Sequence, residues 1–197
     1  LLAVDPHLSG AIVRAPPGPA RAAWLDALWA ASPPQAPRKR VPAAIEDDRL
    51  LGGLDLAATL AAGKPIAARG LLSEAEGGAL VLAMAERCTG GTASRIASAL
   101  DLGEVVIERE GFTTRQPSHF VLIALDEGAT PEETVSYALA DRLAFWLDLS
   151  AARAIAAPAR ERDWIAQAKG RLSARAPAGD ALIEVICEAA QQFGIGS

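Results

Sequence analysis

Three places in the chain carry residue types that could do chemistry, and missing groups define them as much as present ones. The first is the turn Ala15-Pro16-Pro17-Gly18-Pro19-Ala20-Arg21-Ala22, between an expected strand at 10–14 and an expected helix at 20–31. A strand, a tight turn and a helix form the setting in which G-x-x-x-x-G-K-[ST] cradles phosphate. That pattern uses backbone N–H groups, a lysine and a magnesium-binding hydroxyl. Here Ala15 and Ala20 replace the two glycines, Arg21 replaces the lysine and Ala22 the hydroxyl. Ala15, Gly18 and Arg21 are the candidate phosphate-binding positions of this degenerate loop. Pro19 removes an N–H from it. Arg21 can attract a phosphate, but the methyl group of Ala22 cannot ligate Mg²⁺.

The second place is the apolar strand Leu80-Val81-Leu82. ATP hydrolysis asks for two carboxylates at such a strand end, one for the metal's shell and one to position the attacking water. The chain continues instead with Ala83 and Met84, and the Glu86-Arg87 pair two residues on is expected to face elsewhere. The third place is Leu139-Ala140-Asp141-Arg142-Leu143, whose plain reading is a salt-bridged or snorkelling helix arginine. His7 and His119 have no acid–nucleophile partner at a recognisable spacing, and Cys88 and Cys187 match no metal spacing.

The elements that must position these residues follow from pattern. Trp24, Leu25, Leu28 and Trp29 recur at helical spacing and form one apolar face. Ser32 to Pro42, with Arg38-Lys39-Arg40, reads as an exposed loop. Leu50, Leu51, Leu54, Leu56 and Leu60 form a short amphipathic segment, stopped by Gly63 and Pro65. A strand is expected at 79–82 and a helix at 93–100, flanked by Gly90-Gly91 and Gly103. Residues 104–110 alternate as a strand, Gly111 turns the chain, and 120–125 answer as a second strand. Phe145 to Leu149 reads as the last strand, and 151–175 and 179–193 read as helices. The net charge of −5 gives no basic field for nucleic acid. No apolar run reaches the roughly 18–20 residues of a membrane span, so a cytoplasmic place is expected.

The stretch 46–82 closely resembles the "EDR-hhG-LD…G-LLa-A-GG-hL" signature of magnesium chelatase AAA+ subunits. Its segments are Glu46-Asp47-Asp48-Arg49-Leu50-Leu51-Gly52-Gly53-Leu54-Asp55 and Gly70-Leu71-Leu72 through Gly77-Gly78. In that family it spans a helical insert and leads into the Walker B strand. The likeness covers nearly the whole chain, and the departures fit the D subunit, the partner without a working ATP site. The run 105–111 resembles the family's hairpin before sensor 1, whose asparagine position falls on Glu127. A carboxylate there would repel a triphosphate. Asp141-Arg142 resembles the family's L-x-D-R-F segment, in which the arginine reaches a neighbouring subunit's ATP site in trans. That pair keeps its place while the cis motifs are lost, which favours this role over the plain reading.

The resemblance implies an α/β P-loop NTPase AAA+ domain over 1–150, with a helical insert, and a truncated α-helical lid over 151–197. Family D subunits continue into a Pro- and acid-rich linker and an integrin-like domain. The implied role is a non-hydrolysing platform of magnesium chelatase, which uses ATP to insert Mg²⁺ into protoporphyrin IX in (bacterio)chlorophyll synthesis. Implied partners are the ATPase I subunit ring and the porphyrin-binding H subunit, with a homo-oligomeric, hexameric ring of this chain. ATP and Mg²⁺ would sit at the I subunit, and none stably on this chain. Two rivals stand beside it. One is an active I-type ATPase, which Ala22, Ala83 and Met84 oppose. The other is an inactive AAA+ scaffold of a related chelatase-like system with an integrin-like partner.

Overall fold

A computed structural model describes residues 2–3, 5–109, 112–152, 161–174, 184–185 and 187–188. Five parallel strands form its central sheet: β1 (Gly10–Arg14), β2 (Arg38–Val41), β5 (Gly78–Leu82), β8 (Phe120–Asp126) and β9 (Phe145–Asp148). Their order is β2-β5-β8-β1-β9. Parallel sheets need cover on both faces, and the three inner strands are accordingly near-continuous apolar runs. Alternation along them splits the core in two. Ile12, Leu80, Leu82, Leu122 and Ala124 enter one face, and Ala11, Val13, Val81, Ile123 and Leu125 the other.

The second face is covered by α1 (Pro19–Ala31), through the expected stripe of Trp24, Leu25, Leu28 and Trp29. The first is covered by α5 (Gly90–Leu102), with Ala93, Ile96 and Ala97 buried. Thr89 caps that helix by accepting from Thr92 N at 3.2 Å. Gly103 closes it in the left-handed region at φ 67°, with the His119 ring where a side chain would stand.

Residues 32–42 are not a loop throughout. Arg38–Val41 is an edge strand in register with 79–82, its Arg38 and Arg40 exposed and Val41 buried. Charges on an edge strand disguise it in sequence and also discourage edge-to-edge pairing. Lys39 pairs with Glu74 at 2.7 Å, and Arg38 stacks 5.0 Å from the Trp29 ring centroid.

The expected amphipathic segment at 50–60 is two helices divided by a strand. α2 (Asp47–Leu51) buries Leu50, then β3 (Gly52–Leu54) leads into α3 (Leu56–Ala62). Asp55 caps α3 by accepting from Ala58 N at 2.9 Å. Leu56 and Leu60, 68% and 84% exposed, face solvent and not the core. β4 (Ala67–Arg69) returns antiparallel to β3, and α4 (Leu71–Glu74) buries Leu71, Leu72 and Ser73. A second hairpin joins β6 (Glu104–Arg109) to β7 (Phe112–Pro117). The partner of the 104–110 strand is therefore 112–117, while 120–126 belongs to the central sheet. Thr113, Thr114 and Arg115 make that strand polar, so pattern alone passes over it. The short helix α6 (Tyr137–Ala140) leads toward β9. Of the expected helices after 150, α7 (Glu161–Ser173) is seen. Residues 153–160 and most of 175–197, with most of the expected 179–193 helix, lie outside the described residues.

Leu122 has no exposed surface at the centre of the sheet. Leu122→Ala should therefore lower unfolding free energy by about 2–5 kcal/mol in chemical denaturation. Leu60→Ala should change it by no more than about 0.5 kcal/mol. Equal losses would show that α3 packs into the core in solution.

Candidate functional site

In open parallel sheets, ligands bind beyond the carboxyl ends of the strands where the chain order reverses. Here the chain leaves β1 toward β2 on one side and returns to β9 on the other. The ends of β1, β8 and β5 meet at that place. The turn after β1 is held down by Ala15 N, which donates to Asp126 O at 3.0 Å. Gly18 is fully extended (φ 171°, ψ 179°) ahead of α1, with no side-chain cap. Pro16, Pro17 and Pro19 have no N–H at all. The loop thus lacks three N–H groups, and those of Ala15 and Ala22 are engaged by Asp126 O and Gly18 O.

Arg21, in the first turn of α1, already has a partner. Its guanidinium donates to Glu127 Oε1 at 2.7 Å and to Ala15 O at 3.3 Å, with 12% of the side chain exposed. Glu127 lies just past β8, where the resemblance places sensor 1, and pairs with the cation at the lysine position. Glu86 does not face elsewhere. Met84 takes a left-handed conformation (φ 50°), and the short turn Ala85–Arg87 swings Glu86 back toward the strand ends. The Glu86 side chain is 1% exposed, and its Oε2 accepts from Glu127 N at 3.0 Å. Arg14 fastens the same loop, donating to Gly128 O at 3.1 Å and Thr130 O at 2.8 Å beside Asp126. Arg14 thus pairs with Asp126 and Arg21 with Glu127, while Glu86 holds the Glu127 N–H and lies 3.4 Å from Arg87 Nε.

A nucleotide with Mg²⁺ is what this fold implies, and the residues do not fit one. Ala22 and Ala83 offer no oxygen to a metal, Met84 is apolar, and the nearest cation is spent on a carboxylate. Among the described residues no group of three or more His, Cys, Asp or Glu is arranged to hold a metal ion. Cys88 is half-buried, and burial raises its thiol pKa.

Arg142 lies elsewhere. β9 runs parallel to β1, with Phe145 beside Ala11 and Asp148 beside Arg14. Arg142, ahead of Phe145, is therefore toward the opposite end of the sheet from Arg21, and one chain does not bring the two together. Its fork grips Asp101 of α5: Nε donates to Oδ1 at 2.7 Å, and a terminal nitrogen to Oδ2 at 2.6 Å. The other terminal nitrogen donates to Ala138 O at 2.8 Å. The hydrogen bonds from Arg142 hold the Asp101 carboxyl below its usual range, and Asp101 in turn raises the Arg142 guanidinium. Asp141 is exposed beside it and adds favourable charge. Asp101 was not legible as a site residue, because only the packing of α5 on α6 places it there. A sequence signal for Glu86 existed, but the left-handed Met84 that redirects it did not show.

No family model matches the chain. Two curated relatives match all of it: the magnesium-chelatase 60 kDa subunits of Rhodobacter capsulatus and Cereibacter sphaeroides, 38% and 40% identical. The chain spans 32% of each relative's length. Among solved structures, the complex between subunits BchI and BchD of magnesium chelatase matches with TM-score 0.61 and 21% identity. That match covers 89% of this chain and 62% of the other, and shows a shared AAA+ fold. Over its whole length the chain is thus homologous to the magnesium-chelatase 60 kDa (D) subunits, a third of whose length it spans, and it has the AAA+ fold of the BchI–BchD complex.

Proposed function

We propose that this chain is a non-hydrolysing AAA+ platform of magnesium chelatase, the ATP-dependent enzyme that inserts Mg²⁺ into protoporphyrin IX. The observation that carries this reading is the Arg21–Glu127 ion pair at the phosphate seat, together with the missing metal oxygens at Ala22, Ala83 and Met84. Hydrolysis needs a held metal and a placed water, and Ala22, Ala83 and Met84 stand without an oxygen at the positions where the pattern asks for those groups. ATP and Mg²⁺ then belong to a partner I subunit, and the pairing of subunits in the solved BchI–BchD complex supports that partner. A ring of this chain stacks on the I-subunit ring, and the H subunit carries the porphyrin.

Arg142 is the group this chain would offer in trans, with Asp141 beside it. In one copy its donors are engaged by Asp101 and Ala138. To reach a neighbour's γ-phosphate it exchanges the Asp101 carboxylate for a phosphate oxygen. The planar fork suits both partners.

The protein without I subunit should show no ATP turnover in a steady-state assay. Turnover at an ordinary AAA+ rate, abolished by Arg21→Ala, would contradict the reading. In the reconstituted complex, Arg142→Ala should assemble yet lower ATP turnover and Mg-porphyrin formation. The loss should be well under the about 10³-fold of a sole arginine finger, and Arg142→Lys should restore only part. Unchanged rates in an assembled complex would make Arg142 a surface ion-pair residue.

The same pair gives a pH signature. Asp101 is depressed in the folded state, so its contribution to stability is present above the unfolded carboxyl value of about 3.9. It is lost as pH falls through the lower folded value. The stability gap between wild type and Arg142→Ala should therefore close below about pH 4 in acid melts. A gap that persists there would mean that Arg142 stabilises by packing and not by this ion pair.

A further inference from the structure

The Arg21–Glu127 contact is more specific than a salt bridge that happens to stand where a nucleotide would. Arg21 is the first-turn cation of α1, and the Glu127 carboxylate approaches it at 2.7 Å, the distance of a charge-assisted hydrogen bond. Both side chains are largely covered, at 12% and 20% exposure. Behind them stands Glu86, 1% exposed, whose Oε2 holds the Glu127 backbone N–H and so fixes where that side chain begins. The other Glu86 oxygen, Oε1, takes no hydrogen bond, and Arg87, 3.4 Å away, is 66% exposed. A buried carboxylate oxygen without a donor is costly unless a positive field nearby compensates it. Arg87 Nε, in an ion pair with that oxygen at 3.4 Å, supplies that field. One carboxylate thus occupies the Arg21 guanidinium, and an incoming polyphosphate would have to displace it.

We propose that Glu127 is a built-in anion: its carboxylate occupies the place on Arg21 that a phosphate oxygen would take, with Glu86 seating it. The nucleotide seat is thereby closed to polyphosphate from within. This rests on the non-hydrolysing reading and gives it a cause beyond missing metal ligands, namely competition by the chain's own carboxylate. Arg21 and Glu127 also join the β1–α1 turn to the loop after β8.

The test uses the full-length protein and inorganic tripolyphosphate, titrated calorimetrically at one fixed low ionic strength. Glu127→Gln keeps the volume and the backbone N–H to Glu86 but removes the competing charge. It should bind tripolyphosphate about tenfold or more tighter than wild type, the scale of one charge-assisted hydrogen bond. Glu86→Gln with Glu127→Gln should gain further, and adding Arg21→Ala should abolish both gains. Glu127→Asp, one methylene shorter and still charged, should fall between, and it serves if Glu127→Gln melts too low to titrate. Equal affinity in wild type and Glu127→Gln, or a gain that survives Arg21→Ala, would overturn the proposal. ATP turnover by the wild-type protein would instead sink the non-hydrolysing reading, leaving the affinity comparison to stand by itself.

Discussion

The side chains of β1, β5 and β8 alternate between two apolar layers, and a parallel sheet built that way must be covered on both sides. Everything else follows from meeting that demand. Helix α1 must cross one face with Trp24, Leu25, Leu28 and Trp29 inward, which sets its first turn, and hence Arg21, over the ends of the strands. Helix α5 must cross the other with Ile96 inward, which leaves Asp101 at its end beside α6. The polar groups that matter are thus placed by apolar packing elsewhere.

At the strand ends the energetics favour an internal solution. A phosphate cradle is made of unpaired N–H groups and a free cation, both costly until a ligand arrives. This chain removes three of the donors with Pro16, Pro17 and Pro19 and pairs the cation with Glu127. Arg14 and Glu86 add bonds to the same loop through Gly128 O, Thr130 O and Glu127 N. The result is a junction satisfied by the chain itself.

Arg142 presents the opposite case, since its partner is partly exposed. The Asp101 side chain is 47% exposed, so solvent screens the pair and its exchange for another anion costs little. An arginine held in this way is oriented without being committed.

Much of this was legible in the residues. The strands 10–14, 79–82 and 145–148, the apolar stripe of α1 and the Gly103 stop of α5 follow from local pattern, because burial on both faces or on one stripe writes a period into the sequence, whereas α5 begins at Gly90, three residues before the expected start. The losses at Ala22, Ala83 and Met84 are chemical identities and need no structure to be read. The edge strand 38–41 was hidden by its charges, and 112–117 by its threonines and arginine, since an edge or exposed hairpin has no apolar face to declare. The exposure of Leu56 and Leu60 was equally invisible, for a leucine repeat does not say whether anything packs on it. What the sequence determined by itself was which atoms are present and which are missing at the nucleotide seat. Only the tertiary structure decided how the remaining charges pair: Arg21 with Glu127, Glu86 beneath them and Arg142 with Asp101. Those partners stand 106, 41 and 41 positions apart, and such pairings are fixed by how helices cover a sheet and not by any local pattern.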